Sequence, residues 1–185
     1  MKSKRKARRV VFVLNDSDEM LKELSSICGS LEVRVLTSQC VVEAVKLARK
    51  LAATGADVLA FVDLMLPVSL SDLDALRKVI EVRHRLTQRL LADGADRVQP
   101  LMEARKELEA IDFQIMEHID AEGGLKFLRE SSPWIEGWQI VIMSAASFER
   151  TSKSREMGIS VQKILSVPVS PDELESVVVE FLRGE

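Results

Sequence analysis

The apolar positions of the chain fall into short continuous runs, each ending in a polar or acidic residue, and these alternate with stretches of helical period. Val10 to Leu14 is the first run and ends in Asn15-Asp16. Ser17 is placed to cap a helix, Asp18 and Glu19 stand where the helix dipole favours negative charge, and Leu21, Leu24 and Ile27 form its apolar stripe, with Gly29 as the expected stop. Leu31 to Val35 alternates as a strand near a sheet edge does. Ser38 is read as opening a second helix, with Val42, Val45, Ala48 or Leu47, and Leu51 or Ala52 inward and Gly55 closing it. After Asp57 comes the central run, Leu59-Ala60-Phe61-Val62-Asp63, which reads as a strand buried on both faces that delivers one carboxylate to the edge of a parallel sheet before Pro67 breaks the chain.

The same pattern resumes near the C-terminus. Ile140 to Met143 is a fourth buried strand ending in Ser144-Ala145-Ala146, Ser147 to Met157 is read as a short helix ended by Gly158, and Val161 to Val167 is a fifth strand stopped by Pro168. Ser170-Pro171-Asp172-Glu173 is a strong helix start, and Leu174, Val177, Val178, Phe181 and Leu182 form the buried face of that last helix. Strand and helix alternate, so the crossovers demand a parallel sheet covered on both sides, an α/β fold of the doubly wound kind.

Between the halves lies a detour, residues 68–121. Ser71 is read as the cap of a helix carrying Leu76, Val79, Val82, Leu86 and Leu90; Asp93-Gly94 breaks it and Pro100 permits a second start. The second helix carries Leu101, Ala104, Leu108, Ile111 and Ile115, spaced three and four alternately, a coiled-coil seam. The two form an antiparallel helical hairpin with arms of ~20 residues, on the order of 30 Å long. Gly123-Gly124 is read as a hinge into the helix from Leu125 to Arg129. Three parts result: a basic flexible arm at 1–9, a domain built from 10–67 and 122–185, and the hairpin at 68–121.

Composition narrows this picture. Hydrophobic residues make up 46% and charged residues 30%, a globular balance, and the 4% aromatic share with no Tyr implies an aliphatic core. No apolar run approaches a membrane span and no secretory leader is recognisable, so a cytoplasmic location is expected. Cys28 and Cys40 lack metal-ligand spacing and read as ordinary buried or half-buried thiols; His84 and His118 are the only histidines and read as surface residues. Lys2, Lys4, Arg5, Lys6, Arg8 and Arg9 carry six positive charges with no acid or aromatic among them, so the arm reads as solvated and nucleic-acid binding is not expected.

In a doubly wound sheet every strand's C-terminal end points to one edge, and the ligand crevice lies where the strand order reverses. That brings Asn15, Asp16, Asp63 and Ser144 together. Carboxylate and carbonyl oxygens hold Mg²⁺, a hydroxyl donates to a phosphoryl oxygen, and a carboxylate in line with a phosphoryl donor forms an acyl phosphate. In these residues the chain resembles the receiver domain of bacterial response regulators, over residues 10–67 and 122–183. The resemblance implies a five-stranded flavodoxin-like sheet, with Asn15-Asp16 at the Mg²⁺-binding acidic pair and Asp63 of Val62-Asp63-Leu64-Met65-Leu66-Pro67 as acceptor of phosphate from a histidine kinase. It also implies a metal ligand in the backbone oxygen of Met65, the conserved-type hydroxyl in Ser144-Ala145, and the start of the family's third helix in Gly123 to Arg129.

Three positions depart from the family pattern. Val167-Pro168 stands where the family has Lys-Pro, Ile164 where it has an aromatic switch residue, and Asn15 where an acid would add charge to the metal site. Lys163 lies four residues before Val167, roughly 13 Å back along the strand. The resemblance therefore implies a signalling module, not an enzyme, that works through protein contacts with impaired or absent phosphorylation switching and weak Mg²⁺ binding. The alternative is a fully phosphorylatable, Mg²⁺-dependent regulator. An aspartyl hydrolase of the haloacid-dehalogenase type would need a second aspartate two residues after Asp63, where Met65 stands. The expected partners are a histidine kinase or other signalling protein and a second copy of the chain, paired through Leu73, Ile80, Leu91, Met102, Phe113 and Met116 of the hairpin.

Overall fold

The computed structural model describes residues 8–92, 98–144 and 158–184. Its strands, β1 (Arg9–Leu14), β2 (Arg34–Ser38), β3 (Asp57–Asp63), β4 (Gln139–Ser144) and β5 (Val161–Ser166), form one sheet in the order β2-β1-β3-β4-β5, with every pair parallel. The described helices are α1 (Asp18–Ser30), α2 (Val41–Ala52), α3 (Leu70–Ala92), α4 (Val98–Glu117), α5 (Gly123–Ser131) and α6 (Pro171–Arg183). This is the doubly wound architecture that the strand and helix pattern predicts.

The three inner strands are buried on both sides, and their alternate residues feed two cores. Phe12, Leu14, Ala60, Val62 and Ile142 pack with α2 and α5. Val13, Phe61, Val141 and Met143 face the other way, onto α1 and α6. The core is mainly aliphatic, with Phe61 and Phe181 on the second face and an aromatic trio on the first, where Phe12 stacks on Phe127 with centroids 5.6 Å apart and Trp138 tilts against it. Arg9, read from sequence as part of a free arm, is the first residue of β1; its guanidinium donates to the Leu182 carbonyl and lies over the Phe181 ring. Residues 1–7 of the expected arm lie outside the described residues.

Caps decide where several elements differ from expectation. Ser17 caps α1 by accepting the Met20 N–H, and Ser170 caps α6 by accepting the Glu173 N–H, both as predicted. Gly29 does not stop α1. The helix closes two residues later, with the Val33 N–H on the Cys28 carbonyl and the Glu32 N–H on the Gly29 carbonyl, and with Glu32 itself at φ 54. That is a Schellman closure with a non-glycine in the left-handed position. It uses up Leu31 to Val33, so β2 begins at Arg34 and not at Leu31. Ser38 ends β2 and does not open α2, whose first turn is set by Val41 and Val42 N–H groups donating to the Pro67 and Val68 carbonyls. The later start rotates the inward face to Val41, Ala44, Ala48 and Leu51, and leaves Val42 exposed.

The hairpin departs from the sheet through a closed root. Leu66 and Asp120 exchange two backbone hydrogen bonds, 3.1 and 2.9 Å, as an isolated antiparallel bridge. Ser69, not Ser71, caps α3: its hydroxyl accepts the Asp72 N–H, while the Asp72 carboxylate accepts the Ser69 N–H. Leu73 and Leu76 are buried where α3 begins, so Leu73 is not part of any free apolar surface. Further out, Val79, Leu86 and Leu90 are partly buried, as are Leu108 and Ile115 beside buried Ile111, and the Arg83 guanidinium reaches across to Asp112 at 2.7 Å. Val82, expected in the seam, is half exposed. The side chains of Leu101, Met102 and Ala104, the Asp93-Gly94 break and the helix expected over Ser147 to Met157 lie outside the described residues.

Gly123 and Gly124 are not a hinge. Both are buried in the first turn of α5, where the Gly124 N–H donates to the Leu64 carbonyl at 3.1 Å. A Cβ on Gly124 would collide with the Asp63 carbonyl and stand 2.9 Å from the Leu64 Cα. Glycine is required there because helix backbone meets strand backbone. No described helix is long and apolar enough to cross a membrane.

Candidate functional site

The strand order reverses between β1 and β3, and the register Leu14 to Val62 places Asn15 next to Asp63 at the C-terminal edge. Asp63 is half-buried and held by two donors. The Asn15 Nδ2 donates to its Oδ2 at 3.0 Å, and the Met65 N–H donates to its Oδ1 at 3.0 Å. Asn15 is itself buried, with its N–H on the Ser38 carbonyl and its Oδ1 accepting the Ser17 N–H at 2.8 Å. A backbone donor must face an oxygen, so the Ser17 bond fixes the amide orientation and turns the Asn15 nitrogen, not its oxygen, toward Asp63.

Burial pushes the Asp63 carboxyl up from its ordinary 3.8 to about 6. The bond from Met65 N–H holds it down in part, and the Asp16 charge raises it further. Asp16 is raised by burial in the same way. Two carboxylates thus share one edge, each resisting ionisation, with a neutral amide between β1 and Asp63 where a further acid would have made ionisation harder still.

Ser144 is buried at the end of β4, one residue beyond Met143, the partner of Asp63 across the sheet, and its carbonyl accepts the Val167 N–H at 3.3 Å. Val167 therefore stands at the edge beside β4, and it is partly exposed; its peptide bond to Pro168 is cis. Lys163 pairs with Val141, well behind the edge, and Ile164 is 40% exposed with no aromatic ring in its place. Ala145 and Ala146 lie outside the described residues.

Among the described residues no group of three His, Cys, Asp or Glu side chains forms a metal cluster. The side-chain oxygens this edge offers to a hard cation are the Asp16 and Asp63 carboxylates, close enough that the Asp16 charge acts on Asp63; of Met65 the structure shows the N–H on Asp63 Oδ1. Asn15, expected from sequence to join that set, turns its amide nitrogen toward Asp63 and accepts the Ser17 N–H on its oxygen.

Two residues at this edge were not singled out by the sequence. Gln39 donates from Nε2 to the Asp16 carbonyl at 3.2 Å and to Asp18 Oδ1 at 2.7 Å, and its Oε1 accepts from Arg77 Nη2 at 2.7 Å. Arg77 belongs to α3, so the hairpin leans over the acidic edge and encloses a cleft of about 590 Å³ between Asp16 to Glu19 on one wall and Arg77, Ile80, Glu81 and His84 on the other. The available signal was the stripe Leu73, Arg77, Ile80, His84, which has helical spacing but lies off the seam. His84 is exposed, in hydrogen-bond contact with Gln88, and Cys28 and Cys40 are buried free thiols; burial pushes the Cys28 thiol up to about 11.

No protein-family model matches the chain, and no curated protein does. Solved structures do match its fold. A CheY-like response regulator receiver domain from Methanospirillum hungatei shares 14% identity at a TM-score of 0.56, over 97% of this chain and 96% of that one. Chemotaxis protein CheY4 from Vibrio cholerae shares 14% at 0.56, over 94% and 98%. The BeF3-activated receiver domain of DrrB from Thermotoga maritima shares 16% at 0.52, over 96% and 99%. The chain has the receiver fold, a five-stranded parallel sheet with a long helical insertion after the third strand.

Proposed function

We propose that the chain is a signal-transduction receiver module whose phosphoacceptor is Asp63 and whose output is carried by protein contacts, not by an enzymatic activity of its own. The observation that carries this is the setting of Asp63: it ends the central strand at the point of strand reversal, and it is held by the Asn15 amide and the Met65 N–H with Asp16 beside it. Its carboxylate oxygen attacks the phosphorus of a phosphohistidine or a small acyl phosphate. The bond from phosphorus to the donor breaks, the donor leaves with the electron pair, and an aspartyl phosphate remains. Asp16, Asp63 and the Met65 carbonyl would hold Mg²⁺, which when bound neutralises the phosphoryl oxygens.

Asn15 and Val167 make this a weakened switch. The amide supplies a hydrogen bond where an acid would hold metal, and Val167 supplies no charge at the end of β5. Acetyl phosphate with Mg²⁺ should give a partial phosphoryl adduct by intact mass, abolished in Asp63→Asn. Absence of any adduct at saturating donor would leave a pure interaction module.

The hairpin offers the contact surface, and a second copy of the chain is the partner it fits. Ile80, Leu91, Phe113 and Met116 are exposed on it. Helix α3 carries five Arg or Lys against three acids, whereas α4 carries two against five. Pairing α3 of one copy with α4 of another satisfies both charge and apolar area in a four-helix bundle. Sedimentation should find a dimer that Phe113→Glu dissociates; a monomer at all concentrations would exclude it.

A further inference from the structure

The edge has an imbalance that the hairpin is placed to correct. Asp16, Asp18 and Asp63 lie along it, and Val167 stands where β5 would deliver a cation. Arg77 is the positive group facing this edge among the described residues lining the cleft. Its position is not incidental, because the root beneath it is fixed on three sides. Leu66 is bonded to Asp120, Pro67 and Val68 accept from the first turn of α2, and Leu64 accepts from Gly124. Arg77 lies two turns beyond the Ser69 cap, so the angle of the root sets where its guanidinium goes.

Its present partners hold it weakly. One is the neutral Gln39 carbonyl oxygen; the other is Asp18 at 3.8 Å, with both charged side chains at least half exposed. Water competes well for such pairs. Gln39 bridges Arg77 to the Asp16 carbonyl, and Asp16 is close enough for its charge to act on Asp63. A phosphoryl group or its mimic on Asp63 adds negative charge and several strong acceptor oxygens next to Asp16, which lines the cleft, and a guanidinium prefers that partner to an amide oxygen.

We propose that Arg77, carried on the inserted hairpin, is the cation that binds the anionic group loaded at Asp63, in place of a lysine from β5. The assignment rests on Asp63 being the acceptor. Loading draws Arg77 off Gln39, so the anion and the posture of the hairpin are linked through one side chain, and the hairpin becomes the element that reports the loaded state.

The test titrates the full-length protein with beryllofluoride and Mg²⁺, following the Met65 and Gly124 amide signals by NMR, in wild type, Arg77→Met, Arg77→Lys, Gln39→Ala and Asp63→Asn. Arg77→Met should weaken uptake about tenfold, Arg77→Lys should recover part of the loss, and the loss should shrink at high salt. Gln39→Ala, which removes only the resting partner, should bind at least as well as wild type. Thermal midpoints should be unchanged, since the Arg77 side chain is half exposed. Equal uptake by Arg77→Met and wild type overturns the Arg77 assignment and leaves Asp63 as acceptor. A loss in Gln39→Ala as large as in Arg77→Met also overturns it, marking the network as structural. No uptake by wild type, matching Asp63→Asn, overturns the acceptor reading and the Arg77 assignment together.

Discussion

Phe12 and Phe113 are the same residue in two differently built regions. Phe12 is fully buried in the middle of the sheet, stacked on Phe127 and flanked by Trp138, whereas Phe113, in the C-terminal part of α4, is 68% exposed. The contrast holds for the regions as wholes. Each helix that lies on the sheet buries a complete stripe, but the hairpin buries Leu73 and Leu76 at its start and Ile111 in its seam, and leaves Ile80, Val82 and Leu91 substantially exposed. Burial over a shared face holds the domain together. Among the described residues the hairpin is held at its root, along one narrow seam and by Arg77 on Gln39, which leaves Ile80, Leu91, Phe113 and Met116 exposed.

The sharpest way to break this comparison is to truncate both rings. Phe12→Ala should cost about 4 kcal/mol in urea unfolding, while Phe113→Ala should stay within about 0.5 kcal/mol for the monomer. Similar losses at the two sites would mean that α4 is covered in solution as thoroughly as the sheet. Next in size is the root. Gly124→Ala forces a methyl group against the Asp63 carbonyl and should cost about 3 kcal/mol, with the Met65 amide signal displaced because the β3 end must move. A neutral outcome would show that α5 is free to slide away from β3.

The site itself gives a smaller effect of opposite sign. Asp63 has a folded pKa of about 6 against an ordinary 3.8, so the folded state binds its proton more tightly than the unfolded state does. Its contribution is therefore complete below the unfolded value and is lost as pH rises through about 6. Asp63→Asn should remove that decline and raise stability at pH 7 by about 1 kcal/mol, after allowing for one accepted hydrogen bond that an amide cannot match. A pH profile between 4 and 7 identical to wild type would show that Asp63 is not desolvated. Smallest is the hairpin's own cross-link: Arg83→Met should cost about 0.5 kcal/mol, and less at high salt, because Arg83 and Asp112 are both about half exposed.

These regions also differed in how far the sequence disclosed them. Continuous apolar runs located β1, β3 and β4, and the acid or hydroxyl ending each run located Asp16, Asp63 and Ser144, because burial on both faces leaves little choice of residue. Edges and caps were less legible. β2 starts at Arg34 because a Schellman closure at Glu32 takes the preceding residues, and α2 starts at Val41 because the hairpin root supplies its first acceptors. Asn15 looked like a metal ligand by type, but which end of an amide faces a carboxylate depends on a backbone donor at Ser17. Arg77 was hidden for a related reason: its place at the edge follows from the angle of the hairpin, which no local pattern encodes.

The Leu66 and Asp120 bridge has a consequence for how the chain can be rearranged. Paired residues of an antiparallel bridge stand about 5 Å apart, so the polypeptide leaves the domain and returns to it through a gap that a tight turn can span. To the sheet, the intervening segment is a single closed stitch whatever its length, and loop-closure entropy changes only slowly with that length. The position is thus a socket. A different folded unit with adjacent termini can be grafted between Pro67 and Ile119, and a reporter seated there would be mechanically joined to the residue chain that runs from Asp63 through Leu64 to Gly124.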